Sequence, residues 1–463
     1  MCKGKPYFFP LTAPKLLASF TQRIKIMRNN LYLLILSNFL KMKKVVLGTA
    51  ALLCGAVVFA QSNDSDVYQN GNSNSAAVTQ VGAYNDSDVL QNGTENDASA
   101  TQTGVSNESV IEQAGSQPFK VKRNLATIVQ TGEDNVSFAR SQDGEDNVIT
   151  TTSVGNDNNA YVKQIGSRNG SAIDQLGDGN VARSTVTFSD DNSSIIYQTG
   201  DNNVAKTNQR YGPVRGLGGM NSSIVTVTGD LNENYTDQVG GMNNSYQTIE
   251  GDRNMVDVDQ IGDLNTAVAN ATKSGNSYFS DDNDITIYQE GNGNRMEARV
   301  KGGDNNDIDA NHFGNGNLNR VGVNGDNNDV DIDTDGDQNK GDWSIADNSD
   351  GWEPSTNGNI LNVEVDGNQN TATGRIAGSN NTVDVDQFGN GNMVGTAWYK
   401  NDGVIIEGDG NSATIFQDGM GNTAFSEQIG DMNMSSSTQT GANHMCTVNQ
   451  IVNNNSSVVT QSN

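Results

Sequence analysis

Cysteine, proline, histidine, aromatic residues and basic charge are all scarce in this sequence. Its 463 residues include 3 Cys, 6 Pro and 2 His, and aromatics make up 6%. Cys2 and Cys54 precede residue 61, so Cys446 stands alone beyond it; no disulfide can form there within one chain, and no cysteine-rich zinc pattern exists. There is no nucleophile elbow, phosphate loop or cluster of metal-ligating histidines, which argues against an enzyme and leaves no cofactor to name. His312 and His444 are both read as occupying the Gln position of the repeat set out below, hence as structural. Only 34% of residues are hydrophobic, too few for ordinary globular cores, yet low Pro and strong regularity point away from disorder and towards a repeat fold with a thin core. Lys and Arg number 28 against 55 Asp and Glu, for a net charge of −27. Nucleic acid, which needs basic groups for its phosphates, is not an expected partner. Such acidity favours solubility and delays self-association.

The leading segment differs from the rest. Met42-Lys43-Lys44 followed by Val45 to Phe59 has the charged and apolar regions of a signal peptide over residues 42–60, with Val58-Phe59-Ala60 before a mature start at Gln61. The apolar run is too short for a comfortable membrane span. Residues 1–41 read as translation from too early a start codon, or as an extended leader. Cys54 does not make a lipoprotein site, because Leu53 precedes it where a small residue is needed.

Residues 61–463 are dominated by an internal repeat. Gln69-x-Gly71-x-x-Asn74 recurs as Gln80/Gly82/Asn85, Gln91/Gly93/Asn96 and Gln102/Gly104/Asn107, a spacing of 11 residues. The same frame returns at Gln164, Gln175, Gln238, Gln260, Gln387, Gln417, Gln428, Gln439, Gln450 and Gln461. Between Asn and the next Gln the pattern alternates as a strand does: Asn74, Ala76, Val78 and Gln80 point one way, Ser75, Ala77 and Thr79 the other. A turn around x-Gly-x-x-Asn follows, with positive φ expected at Gly and tolerated at Asn.

One such strand buries almost nothing. Two facing units make a flattened 22-residue rung, and stacked rungs make an all-β, repetitive β-solenoid of cross-β character. Stacking is expected to set each inward Gln above another Gln and Asn above Asn, forming amide ladders that satisfy buried polar groups. The register breaks near residues 116–124, 206–218, 340–357 and 395–403, read as loops; their basic and aromatic residues, among them Trp343, Trp352 and Trp398, are candidates for contact with a partner. Asn63-x-Ser65-x-Val67-x-Gln69 and Asn455-x-Ser457-x-Val459-x-Gln461 already fit the repeat, and no helical or Pro-rich cap covers them. Uncapped edges of this kind are expected to template further copies.

The motif Gln-x-Gly-x-x-Asn-x-[small apolar]-x-x-x-Gln resembles the curlin repeat of curli, the amyloid fibres of Gram-negative bacteria. The resemblance covers nearly all of residues 63–461. It implies a fibre subunit or a nucleator, export through a curli-type outer-membrane pore, polymerisation with itself and other curlin-like subunits, and roles in biofilm matrix and surface adhesion. Curlin subunits are typically much shorter. Three other readings differ in what they predict. A monomeric acidic surface adhesin would stay monomeric. Calcium binding would draw on the oxygen-rich run Asp326 to Asp335, although the period of 11 does not match the nine-residue calcium β-roll. Ice binding would need regular outward Thr rows, and those here are irregular.

Overall fold

A computed structural model describes residues 62–115, 121–211, 219–272, 280–346, 356–395 and 403–463. The leader, the proposed cleavage site and the cores of the four insertions lie outside these residues. Each described strand begins just after an inward Asn, except Val404–Glu407, which follows Gly403, and Met445–Ile451, which follows His444. Residues of opposite character alternate along it, so only a two-faced strand can bury one set and expose the other. In Asp86–Thr94, Ser87, Val89 and Gln91 are buried while Asp86, Asp88 and Leu90 face outward.

The chain reverses at every turn and lays successive strands alternately into two parallel sheets. Asp64–Asn72 pairs in parallel with Asp86–Thr94, and Ser75–Ala83 with Asp97–Val105, each residue opposite the one 22 positions later. The first sheet holds 17 strands; at the usual strand spacing this stack is about 77 Å long. In the second sheet the pieces Met393–Val394 and Val404–Glu407 share one level between Thr371–Ala377 and Thr423–Ile429. Their shared neighbours close a small ring of pairings but leave the sheet an open stack.

Between the sheets runs a single narrow core of Ala, Val and Ile from Val89 to Ala424. Small side chains are required because the two sheets face each other at close range within every rung. The strands also reach further into two of the expected insertions than the sequence suggested. Lys206 and Arg210 lie in the strand Val204–Arg210, and Lys340–Ile345 is a strand whose Trp343 is buried at 2% exposure. Trp343 is therefore a core residue and not a partner contact. Gly374 lies opposite it on the next rung, where a Cβ would come within 2.2 Å of the indole Cζ3.

Candidate functional site

Two asparagine ladders run the length of the column. In the first, Asn85 donates its backbone N–H (3.0 Å) and its amide (3.2 Å) to Oδ1 of Asn63 on the preceding rung. The same backbone bond links Asn107, Asn135, Asn158, Asn180, Asn203, Asn232 and Asn254 in turn. It continues through Asn283, Asn306, Asn328, Asn359, Asn381, Asn411, Asn433 and Asn455 without a break. The second ladder begins at Asn74 and Asn96 and reaches Asn422, whose Oδ1 accepts the backbone N–H of His444. His444 thus occupies an Asn position and not the Gln position expected for it. Most of the Asn amides also donate to the Gly carbonyl of the next turn, as Asn74 does to Gly93 (3.1 Å) and Asn85 to Gly104 (3.1 Å), while Asn96, Asn169, Asn254 and Asn328 donate to Val121, Ser189, Ser280 and Thr356 at the same place.

The glutamine ladders are shorter and interrupted. On the first sheet Gln69 donates to Gln91 (2.6 Å) and Gln91 to Gln113 (2.9 Å). Gln238 donates to Gln260 (2.8 Å), and Gln387, Gln417, Gln439 and Gln461 form a further run at 2.8 to 2.9 Å. On the second sheet Gln80 reaches Gln102 (2.9 Å), Gln175 reaches Gln198 (3.1 Å) and Gln428 reaches Gln450 (3.0 Å). Gln164 has no glutamine above or below: its neighbours are Ser141 and Val186, and it donates to Ser171 Oγ instead. The expectation of Gln above Gln fails most clearly on the second sheet. There Val227, Ile249, Ala271, Val300, Val323, Ile345, Ile376 and Ile406 fill eight consecutive levels. Where Gln is present, its amide also crosses to the other sheet, as Gln80 does to the carbonyl of Asp64 (2.7 Å) and Gln91 to that of Ser75 (2.8 Å). His312 does stand at the Gln position, opposite Gln289, and burial pushes its imidazole pKa down to about 4.

The turns depart from expectation in one respect. Positive φ falls on Gly71 (120°) and Gly82 (118°), but also on the residue before each Asn: Ser73, Tyr84 and Glu95 lie at 57 to 58°. The Asn itself is not left-handed. A Cβ on Gly71 or Gly82 would lie 1.8 Å from the carbonyl oxygen of the next turn's Gly, and one on Gly93 would lie 2.1 Å from that of Val121. Rung spacing, as well as φ, therefore demands glycine there. A third ladder went unnoticed in the sequence. The Asp after the turn Gly, or after Ser280 in the case of Asp281, accepts the backbone N–H of its counterpart one rung earlier, at 2.7 to 3.0 Å for Asp178, Asp201, Asp230, Asp252, Asp281, Asp304 and Asp326. The recurring Gly-Asp dipeptide was its signal.

Charge gathers on the outward face of the first sheet. Partial burial, then crowding by neighbouring carboxylates, pushes Asp257, Asp331 and Asp386 up to about 6. At the turns the shift is reversed: hydrogen bonds from Arg168 and Arg253 on the preceding rung hold Asp191 and Asp282 below the usual carboxylate range. In the run from Asp326 to Asp335, Asp329, Asp331, Asp333 and Asp335 occupy alternate outward positions of one strand, spread along it and not gathered around a point. Among the described residues no group of three or more His, Cys, Asp or Glu is placed to hold a metal ion.

At one edge of the column Asp64–Asn72 is exposed along its whole length and, among the described residues, pairs only with Asp86–Thr94. At the other, Ser456–Ser462 pairs only with Met434–Ala442 and leaves Val458 75% exposed. Each edge offers a row of strand hydrogen-bonding groups together with the inward Asn, small apolar and Gln side chains of the repeat. Among curated proteins none matches the sequence. The curlin associated repeat matches it at residues 60–93, 93–117 and 408–441, segments that include the edge strand Asp64–Asn72 and stop short of Ser456–Ser462. In these segments the stacked strands and amide ladders are built from the curlin associated repeat.

Proposed function

We propose that this chain is a secreted structural subunit that polymerises edge to edge into extracellular curli-like amyloid fibres, serving biofilm matrix and surface adhesion. The observation that carries the reading is the unsheltered strands at the two ends, Asp64–Asn72 and Ser75–Ala83 at one and Met445–Ile451 and Ser456–Ser462 at the other, in a column whose remaining described strands are paired on both sides. An edge strand with open hydrogen-bonding groups is a template for another. Among the described residues Gln69 and Gln80 at one edge have acceptor oxygens with no rung beneath them, while Gln450 and Gln461 end the ladders at the other. A second copy would join these runs. Its partners are then other copies of itself, curlin-like subunits or a nucleator, and the outer-membrane pore of curli-type export. The test is to purify the chain from Gln61 onward and follow thioflavin fluorescence and electron microscopy. A lag phase abolished by seeds, together with thin fibres, supports the proposal. A chain that stays monomeric at high concentration is instead a surface adhesin.

A further inference from the structure

The two broad faces of the column carry opposite charge over the same rungs. On the first sheet the seven strands from Glu233–Val239 to Thr382–Asn390 hold sixteen carboxylates and no Lys or Arg. On the second sheet the half-exposed strands Arg295–Lys301, Leu318–Val323 and Lys340–Ile345 hold five Lys or Arg against two carboxylates. Arg295, Arg299 and Arg320 share the single carboxylate of Glu297, which leaves that zone positive.

Strands of the two sheets run in opposite senses, since the chain reverses at each turn. The inward contacts Ser171–Ser184 (3.1 Å) and Ser426–Ser435 (2.8 Å) each join the second position of one strand to the fourth of the other. If a second column stands beside the first at the same height and in the same orientation, the second sheet of one meets the first sheet of the other. Gln164–Ser171 (3.0 Å) and Asn319–Thr334 (2.8 Å) join second to sixth positions, so within a rung the first outward position lies between the fifth and the last of the facing strand. Arg295 then comes beside Glu290, Lys301 beside Asp284, Lys340 beside Asp335, and Leu318 beside Phe313. Turned end for end, the basic zone would instead meet Asn159–Ile165, Val181–Thr187 and Val204–Arg210, which carry Lys163, Arg183, Lys206 and Arg210 and no carboxylate. That arrangement repels.

We propose that copies of this chain pack side by side, in register and in one orientation, with the basic zone of the second sheet against the acidic face of the first. The interface does not require growth at the edges, so it can be read on soluble chains as well as on fibres. The test uses the full chain at low ionic strength, with light scattering and electron microscopy reporting side-by-side association. One variant reverses the basic zone (Arg295→Glu, Lys301→Glu, Lys340→Glu), one reverses its counterpart (Asp284→Lys, Glu290→Lys, Asp335→Lys), and one combines all six. Circular dichroism checks that each still folds. Salt near physiological strength, where the screening length is about 8 Å, should disperse the wild-type bundles. Each single-face variant should need about tenfold or more higher concentration to bundle, and the six-fold variant should return towards wild type. Wild-type chains that do not associate, single-face variants that bundle normally, or a combined variant that stays dispersed would each overturn the proposal.

Discussion

The two kinds of amide ladder should differ sharply in what they contribute, and Asn232 and Gln260 allow a direct comparison. Both are fully buried in the middle of the first sheet. Asn232 accepts the backbone N–H of Asn254 (2.9 Å) and donates to the carbonyl of Gly251 (2.7 Å). Asn232→Ala orphans both backbone groups, that of Asn254 buried and that of Gly251 half-buried, and removes the amide bonds to Asn203 and from Asn254, at about 4 kcal/mol in total. Gln260 donates to Asn244 O (3.0 Å) and to Gln289 Oε1 (2.9 Å) and accepts from Gln238 (2.8 Å). After Gln260→Ala, Gln238 keeps its bond to Ser222 O, and Gln289 Oε1 joins the condition already borne by the unpaired Oε1 atoms of Gln164, Gln209, Gln387 and Gln428. The expected cost is about 1 to 2 kcal/mol. Hydrogen exchange read on peptides across residues 222–265 of the soluble chain reports local opening. Protection should fall nearly a thousandfold for Asn232→Ala and only about tenfold for Gln260→Ala. Equal losses, or a larger loss at Gln260, would refute the claim that the Asn ladder is the structural spine.

Other perturbations address the turns and the acidic face. Gly229→Ala places a Cβ 2.0 Å from the carbonyl oxygen of Gly251 at φ 120°, so two rungs must separate locally; limited proteolysis should cut that turn far faster than in wild type. Leu231, exposed at φ 59°, carries the Cβ penalty of the left-handed region; Leu231→Gly should raise stability by about 0.5 to 1 kcal/mol, visible as a higher urea midpoint. Asp257, Asp331 and Asp386 hold their protons up to about pH 6 in the folded column, above the ordinary carboxylate value of 3.8. The folded state therefore binds more protons between those limits, and stability falls as pH rises from about 4 through 6, then levels off. These groups are roughly half exposed, so after discounting for solvent screening each contributes about 1 kcal/mol at most. Asp331→Asn should raise the urea midpoint at pH 7.5 and leave it unchanged at pH 4.5; an equal effect at both would exclude the charge explanation.

The strand phase could be read from the sequence because one face of each strand must be buried, and Ala76, Val78, Ala98 and Ala100 mark that face without ambiguity. The parallel stacking followed from a repeat too thin to fold alone. What was not legible depends on contacts between rungs. Trp343 looked like a loop residue beside Pro354, yet it stands in register with Val321 one rung below, and Gly374, 31 residues further on, vacates the space for its ring. The left-handed turn position was hidden for a similar reason. Ser73, Tyr84, Arg168, Met220 and Leu231 share no side-chain chemistry, and only the bonds to the neighbouring turns hold them there. The prominence of Gln in the motif also drew attention away from Asn. Aliphatic residues can replace Gln because its inward position needs volume. They cannot replace Asn, which supplies both an acceptor and a donor to the backbone of the neighbouring rungs.

This difference suggests why, on the second sheet, Gln is kept to the levels on either side of the aliphatic stretch from Val227 to Ile406, although on the first sheet a run from Gln209 to Gln289 crosses the middle. In the middle of a column both neighbouring rungs are always present, and an aliphatic side chain there stays dry and contributes its full transfer free energy. At an edge the inward positions face water until another strand arrives. A row of Ile there would be an exposed apolar strand with no means of choosing among partners or registers. Gln69, Gln80 and Gln461 can be hydrated while they wait, and they exchange water for an amide partner only when another Gln stands directly opposite. A slip of one residue sets Gln against an outward Thr or Tyr and forfeits that bond. Edge glutamines thus exchange some stability for solubility and register, and the aliphatic middle supplies the cohesion they give up.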